Sequence, residues 1–80
     1  MPERIKLIWD FRGPNSDHIA KHHAKHLAEF VTMEGLQNTV CGNETITDMH
    51  TTAFLVVEKE YMDTLRATLK PHRGQRYQET

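Results

Sequence analysis

Apolar and polar residues alternate along residues 4–11, which is the pattern of a β-strand with one buried face. The apolar face of this segment consists of Ile5, Leu7, Trp9 and Phe11. The opposite face is polar apart from Ile8. Residues 12–15 include glycine, proline and asparagine, which favour a turn. We therefore predict a strand over residues 4–11 with a turn directly after it.

Over residues 16–34, apolar residues recur at the spacing of an α-helix. One face of this helix gathers Ile19, Ala20, His23, Leu27, Phe30 and Val31. Asn15 or Ser16 can cap its first turn, and Gly35 can end it in a left-handed conformation. The spacing predicts an amphipathic helix that packs on the first strand.

Two strand signals come next. Residues 36–50 mix β-branched and polar residues, which favours one irregular strand or two short pieces, with a bulge or turn at Gly42 and Asn43. Residues 51–57 are continuously apolar after two threonines. We predict that they form a strand buried on both faces.

The pattern of residues near the C-terminus predicts one more helix. Apolar residues recur at a helical spacing over residues 59–70, and Pro71 ends the pattern. Residues 72–80 are expected to form either a mobile tail or a short edge strand. The whole chain, residues 1–80, is short enough to be a single α+β domain.

The predicted order of strand, helix, strand, strand and helix is similar to that of the ferredoxin-like superfold, which repeats a β-α-β unit twice. The last strand of that pattern is missing here or reduced to the tail. The resemblance rests on element order alone. It implies a ferredoxin-like βαββα arrangement, in which an antiparallel sheet has both helices on one face.

In such an arrangement the second face of the sheet has no cover. It would carry Ile8 and either Phe54 and Val56 or Leu55 and Val57. Dimeric α+β barrels of this superfold cover that face with a second copy, so we expect a homodimer through Ile8, Phe54 and Val56. The alternative is that the tail folds over this face.

Composition narrows the classes of partner and the compartment that are expected for this chain. A net charge of −1 with neutral histidines does not favour nucleic-acid binding, so no such partner is expected. No apolar stretch approaches the length of a membrane span, and no membrane partner is expected. Cys41 is the only cysteine and cannot form an internal disulfide, which favours a reducing compartment such as the cytoplasm.

The chain contains six histidines, and this is the one unusual feature of its composition. His18, His22 and His26 are spaced by four residues, so they lie on one side of the predicted helix. Neighbours in such a row can share an ion, which makes His22 and His26 candidate ligands of a divalent metal. An exposed polar helix face is the alternative interpretation, and no other cofactor is expected.

His23 differs from these three because it lies within the apolar face of the same helix. A histidine there must be neutral or paired, since an unpaired buried charge is unfavourable. It is expected to bond to a backbone carbonyl or to Asp10, or else to line a ligand pocket. The candidate pocket residues are Trp9, His23, Phe30 and Arg12. The candidate acid–base residues are His23, His26, His50 and Asp10.

Three functions follow from these observations. The chain carries no nucleophile-elbow, kinase or P-loop motif, which favours a non-catalytic, dimeric binding domain. One alternative is a small enzyme of the dimeric-barrel type with a histidine-lined pocket. The other is a metal-binding protein that uses His22 and His26.

Overall fold

The computed structural model describes residues 3–77, which form an α+β domain. Its elements are β1 (Arg4–Arg12), α1 (Ser16–Glu34), β2 (Val40–Thr47), β3 (His50–Glu58), α2 (Met62–Leu69) and β4 (Arg73–Tyr77), with a 3-10 turn at Lys59–Tyr61 before α2. The four strands form one open antiparallel sheet in the order β2-β3-β1-β4. Within the described residues, no helix is both long enough and apolar enough to cross a membrane.

The last strand departs from the predicted βαββα order. Arg73–Tyr77 pairs with β1, from Ile8 opposite Arg73 to Arg4 opposite Tyr77, so the observed order is β-α-β-β-α-β. The prediction is therefore only partly right. An edge strand is held by backbone hydrogen bonds and leaves most of its side chains in solvent, so it needs no apolar alternation. Residues 78–80 of the expected tail lie outside the described residues.

Helix α1 has the predicted bounds. Gly35 ends it in the left-handed region, at φ 66°, and its N–H donates to the Thr32 carbonyl. The predicted apolar face is narrower than expected, because Ile19 is 45% exposed. The second helix is shorter than predicted, since residues 59–61 form the 3-10 turn and the helix ends before Pro71.

The middle segment forms one strand, β2, which pairs with β3. The predicted bulge or turn at Gly42 and Asn43 is wrong, because the register shift lies between Thr45 and Thr47. Gly42 has a different role. It lies opposite Phe54, and a Cβ there would come within 3.2 Å of the Phe54 ring. The glycine therefore lets an aromatic side chain lie across β2.

The core lies between the sheet and the helices. Residues of β1, β3 and both helices share this core: Leu7, Trp9, Ala20, Leu27, Ala53, Leu55, Val57 and Leu65. Since neighbours along a strand point to opposite faces, Leu55 and Val57 face the helices, whereas Phe54 and Val56 point away. Both helices thus cover the same face of the sheet.

We call the other face of the sheet the open face. Strand register and alternation place on it Arg4, Lys6, Ile8, Asp10 and Arg12 of β1, Val40, Gly42 and Glu44 of β2, His50, Thr52, Phe54, Val56 and Glu58 of β3, and Arg73, Gln75 and Tyr77 of β4. Ile8 and Val56 are only 3% and 0% exposed in the single chain, because larger side chains flank them on the neighbouring strands. The apolar residues that stay accessible are half-buried Phe54 and exposed Val40. The open face is therefore less apolar at its surface than the sequence predicts.

Candidate functional site

Four rings meet at the carboxyl end of β1 on the side of the sheet that faces the helices. We call Trp9, Phe11, His23 and His72 the aromatic–histidine cluster. The His23 ring centroid lies 4.9 Å from that of Trp9 and 5.5 Å from that of Phe11. His72 completes the group, with its centroid 6.3 Å from Phe11. These separations are typical of packed aromatic pairs.

His23 is the polar group at the centre of this cluster. Its Nε2 atom is buried and has no hydrogen-bond partner among residues 3–77. Burial lowers the pKa of His23, and the nearby imidazoles of His26, His72 and His22 lower it further. The ring is therefore neutral at pH 7 and holds an unused polar atom against two aromatic side chains. A buried polar atom without a hydrogen-bond partner is rare in folded proteins.

Hydrogen bonds from β1 fix the surroundings of the cluster. The Asp10 backbone N–H donates to His72 Nδ1 over 2.8 Å, and the His72 N–H donates to the Ile8 carbonyl over 2.9 Å. Because Nδ1 accepts this hydrogen bond, it carries no proton, and the ring proton of His72 lies on Nε2. Trp9 Nε1 donates to the Leu69 carbonyl over 3.1 Å, which ties the end of α2 to the sheet. The connection between α2 and β4 is thus held close to β1.

The Asp10 side chain lies on the open face and binds two partners. Arg73 donates from Nε to Oδ2 over 3.0 Å and from its Nη2 to Oδ1 over 3.1 Å. His50 donates from Nε2 to Oδ1 over 2.8 Å. The Arg73 guanidinium holds the pKa of Asp10 below its usual range; His50 acts in the same direction, and partial burial opposes both. Asp10 is therefore an anion at neutral pH.

This Asp10–His50–Arg73 network has a structural and a chemical interpretation. The side chains of His50 and Asp10 are only 15% and 17% exposed, so these hydrogen bonds satisfy polar groups that are largely removed from water. A carboxylate that fixes one nitrogen of a histidine also leaves the other nitrogen free to exchange a proton. Since Arg73 already compensates the charge of Asp10, the network is complete without a ligand.

A second histidine pair lies on the outer surface of α1. The Nε2 atoms of His22 and His26 are 3.0 Å apart, and their ring centroids are 4.5 Å apart. Both residues are exposed. Either one ring donates an N–H to the other, or both lone pairs point at a shared cation.

The predicted pocket residues do not all meet. Trp9 and His23 are in contact, whereas Phe30 is half-buried and packs against the core. Arg12 is exposed and pairs in register with His50, so it belongs to the opposite face of β1 from Trp9.

The predicted acid–base residues fall into two separate groups. Asp10 and His50 contact each other on the open face, and His23 and His26 lie on α1 beyond the sheet. They form no single acid–base centre within one chain. Phe11 and Arg73 were not predicted to be site residues. The signal for Phe11 was its place on the same face of β1 as Trp9, whereas the contact of Arg73 with Asp10 depends on the pairing of β4 with β1.

Among residues 3–77 there is no group of three or more histidine, cysteine, aspartate or glutamate side chains placed to hold a metal ion. Compared with protein-family models, curated proteins and solved structures, the chain matches none.

Proposed function

We propose that this chain is a small, non-catalytic binding domain that works as a homodimer, paired through the open face of its sheet. We also propose that its fold is ferredoxin-like, because its order β-α-β-β-α-β repeats a β-α-β unit twice. The non-catalytic part of the proposal is supported by the separation of the four acid–base candidates into two groups on opposite sides of the sheet. The single cysteine, Cys41, is a free thiol, which is consistent with a reducing compartment such as the cytoplasm.

The proposal of a homodimer rests on one observation: no element within residues 3–77 covers the open face. Both helices pack on the other face, and β4 extends the sheet at its edge. The C-terminal strand therefore enlarges the open face, which disfavours the alternative in which the tail folds over it. A sheet with one solvated face is common, so the residues on that face have to support the pairing.

Those residues are a mixture of apolar and charged groups. Phe54 lies near the middle of the face with Lys6 Nζ 4.5 Å from its ring centroid, and Val40, on the edge strand β2, is 40% exposed. Glu44 gives β2 a negative charge, and Lys6 binds it over 3.5 Å. Arg73 on β4 is 51% exposed despite its bonds to Asp10. The face therefore has an acidic edge at β2 and a basic edge at β4.

This distribution of charge is self-complementary. A two-fold axis parallel to the strands, between β1 and β3, would lay β2 of one copy over β4 of the other. Glu44 would then approach the edge that carries Arg73, and the two Phe54 rings would lie near the axis. Interfaces with an aromatic centre and a charged rim are typical of specific association.

Replacing Phe54 with lysine tests the pairing. Phe54→Lys would place two like charges near the axis and is expected to weaken dimerisation at least about thirtyfold, the effect of losing a hot-spot residue worth about 2 kcal/mol. Sedimentation equilibrium of the purified chain measures the dissociation constant. Val40→Lys should weaken the dimer in the same direction and lies on an exposed edge position, where the fold tolerates it better.

The matched control is Met33→Lys. Met33 is 79% exposed on α1 and lies outside the open face, so this variant should dimerise like the wild type. Equal weakening by Met33→Lys and Phe54→Lys would mean that the open face is not the interface. A circular dichroism spectrum of each variant confirms that it is folded.

A second candidate function is metal binding by His22 and His26. Two nitrogens that bind one ion at 2.0–2.1 Å are about 2.9 Å apart at a right angle and about 3.3 Å apart at the tetrahedral angle. The observed separation of 3.0 Å between the two Nε2 atoms is closer to the right angle. The pair is therefore close enough for both imidazoles to bind one divalent ion such as Cu²⁺.

His26→Gln tests this candidate. The variant is expected to weaken Cu²⁺ binding by roughly tenfold or more, since one imidazole alone is a poor site. Isothermal titration calorimetry of the untagged chain measures the affinity. His18→Gln is the control, because His18 is also exposed and lies four residues from His22, but the observed pair does not include it. If both variants bind like the wild type, the metal candidate is wrong.

A further inference from the structure

A cleft separates α2 from β4 on the helix-covered side of the sheet. Its volume is about 370 Å³, which is within the range of small-molecule sites. The cleft exists because Gly74 occupies the position on β4 opposite Leu7, where another residue would point a side chain toward the helix. A Cβ at Gly74 would lie 3.7 Å from Leu7 and 3.8 Å from Ile5, which is ordinary van der Waals contact. Glycine is therefore not required by the backbone there, and its effect is to keep the space open.

The floor and the rim of this cleft differ in chemistry. The floor is apolar and consists of Ile5, Leu7, Met62 and Pro71. The cationic groups of the rim are Arg66 from α2 and Arg76 from β4, and His72, directly before β4, adds a polar ring. Among the described residues that line the cleft, none is acidic. A surface of this kind complements a molecule with an apolar body and a negative group at one end.

The rim arginines are not equally free to bind a ligand. Arg76 donates from its Nη2 atom to Glu3 over 2.9 Å, and Arg73, whose backbone also borders the cleft, is bound to Asp10 on the open face. Arg66 has no ion pair within residues 3–77 and is exposed. It is therefore the guanidinium most available to a carboxylate, which it can bind through two parallel hydrogen bonds.

We infer that this cleft binds a small amphipathic carboxylate, with the apolar body on Ile5 and Met62 and the carboxylate on Arg66. His72 lies in both this cleft and the aromatic–histidine cluster, so the two sites adjoin. The inference names the ligand class of the proposed binding domain and rests on that proposal for its biological meaning. It does not depend on the homodimer, because the cleft is on the opposite side of the sheet from the open face.

Titration of ¹⁵N-labelled protein with sodium 1-naphthoate tests the inference, with neutral 1-naphthamide as the matched ligand. We expect naphthoate to shift the amide signals of Leu7, Arg66 and Gly74 with a Kd of roughly 0.1 to 1 mM, and naphthamide to bind at least about tenfold more weakly. Equal binding of the two compounds, or naphthoate shifts confined to other residues, would overturn the inference.

Two variants and one control distinguish the contribution of the apolar floor to ligand binding from that of the cationic rim. Arg66→Gln should weaken naphthoate binding by roughly tenfold and leave naphthamide unchanged. Gly74→Val should weaken both ligands, since its side chain would fill the cleft, while an edge strand accepts valine. Lys25→Gln removes an exposed charge on α1 outside the cleft and should bind naphthoate like the wild type. If Lys25→Gln lowers the affinity as much as Arg66→Gln does, the attraction is a general charge effect and the site is refuted.

Light scattering on the same samples distinguishes this test from that of the dimer. A monomer that binds naphthoate in the cleft would contradict the homodimer and support the inference. A dimer whose cleft does not bind naphthoate would contradict the inference alone.

Discussion

Replacing Leu55 with alanine is expected to lower the free energy of unfolding by about 3 kcal/mol or more, a large share of the stability of a domain this small. Leu55 is 0% exposed and lies in the middle strand β3, between Leu7 on β1 and Cys41 on β2. Its truncation leaves a cavity where the sheet meets both helices. Urea denaturation followed by circular dichroism measures the loss.

The control for this prediction is Met33→Ala. Met33 is 79% exposed on α1, so its truncation should change the free energy of unfolding by less than about 0.5 kcal/mol. Similar losses in the two variants would contradict the location of the core on the helix side of the sheet.

Replacing His23 with leucine is expected to stabilise the protein, most strongly in acid. The pKa of His23 is lowered in the folded state, so the unfolded chain takes up a proton more readily. Stability is therefore lost as the pH falls from the ordinary histidine pKa, about 6.5, toward the lower folded value. Leucine cannot be protonated and also removes the unpartnered Nε2 atom. We expect His23→Leu to raise Tm by about 5 °C at pH 5.5 and by less at pH 8.

Thermal melts of His23→Leu, His18→Gln and the wild type between pH 8 and pH 5.5 check this result. His18→Gln is the control, because His18 is exposed and lies outside the aromatic–histidine cluster. If His23→Leu keeps the pH dependence of the wild type, His23 is not the titrating group. A stabilising substitution at His23 would also indicate that the residue is retained for binding and not for stability.

The class of the fold could be predicted from hydrophobic periodicity alone. The bounds of α1 and the burial of β3 follow from local patterns, because each of these elements buries a long apolar face. The strand β4 could not be distinguished from a mobile tail in this way. Its five residues, Arg73–Tyr77, are stabilised by pairing with a strand more than sixty residues earlier. The local pattern of apolar and polar residues does not report such long-range pairing.

The candidate site, like the fold, could be predicted only in part from the sequence. The position of His23 in the apolar face of α1 indicates a buried histidine, and Trp9 is a neighbour because both face the same core. Arg12 could have been excluded from the pocket, since it lies three residues after Trp9 and an odd spacing places it on the other side of a strand. His72 and Arg73 could not be assigned, because their contacts with Phe11 and Asp10 depend on β4.

The proposed homodimer leads to one direct measurement. A sample prepared from equal parts of labelled and unlabelled chain allows isotope-filtered NMR to detect contacts between two copies only. We predict intermolecular contacts from the Phe54 ring and the Val40 methyl groups, in a particle with twice the 9.3 kDa mass of the chain. A 9.3 kDa particle with no intermolecular contact at Phe54 would contradict the account.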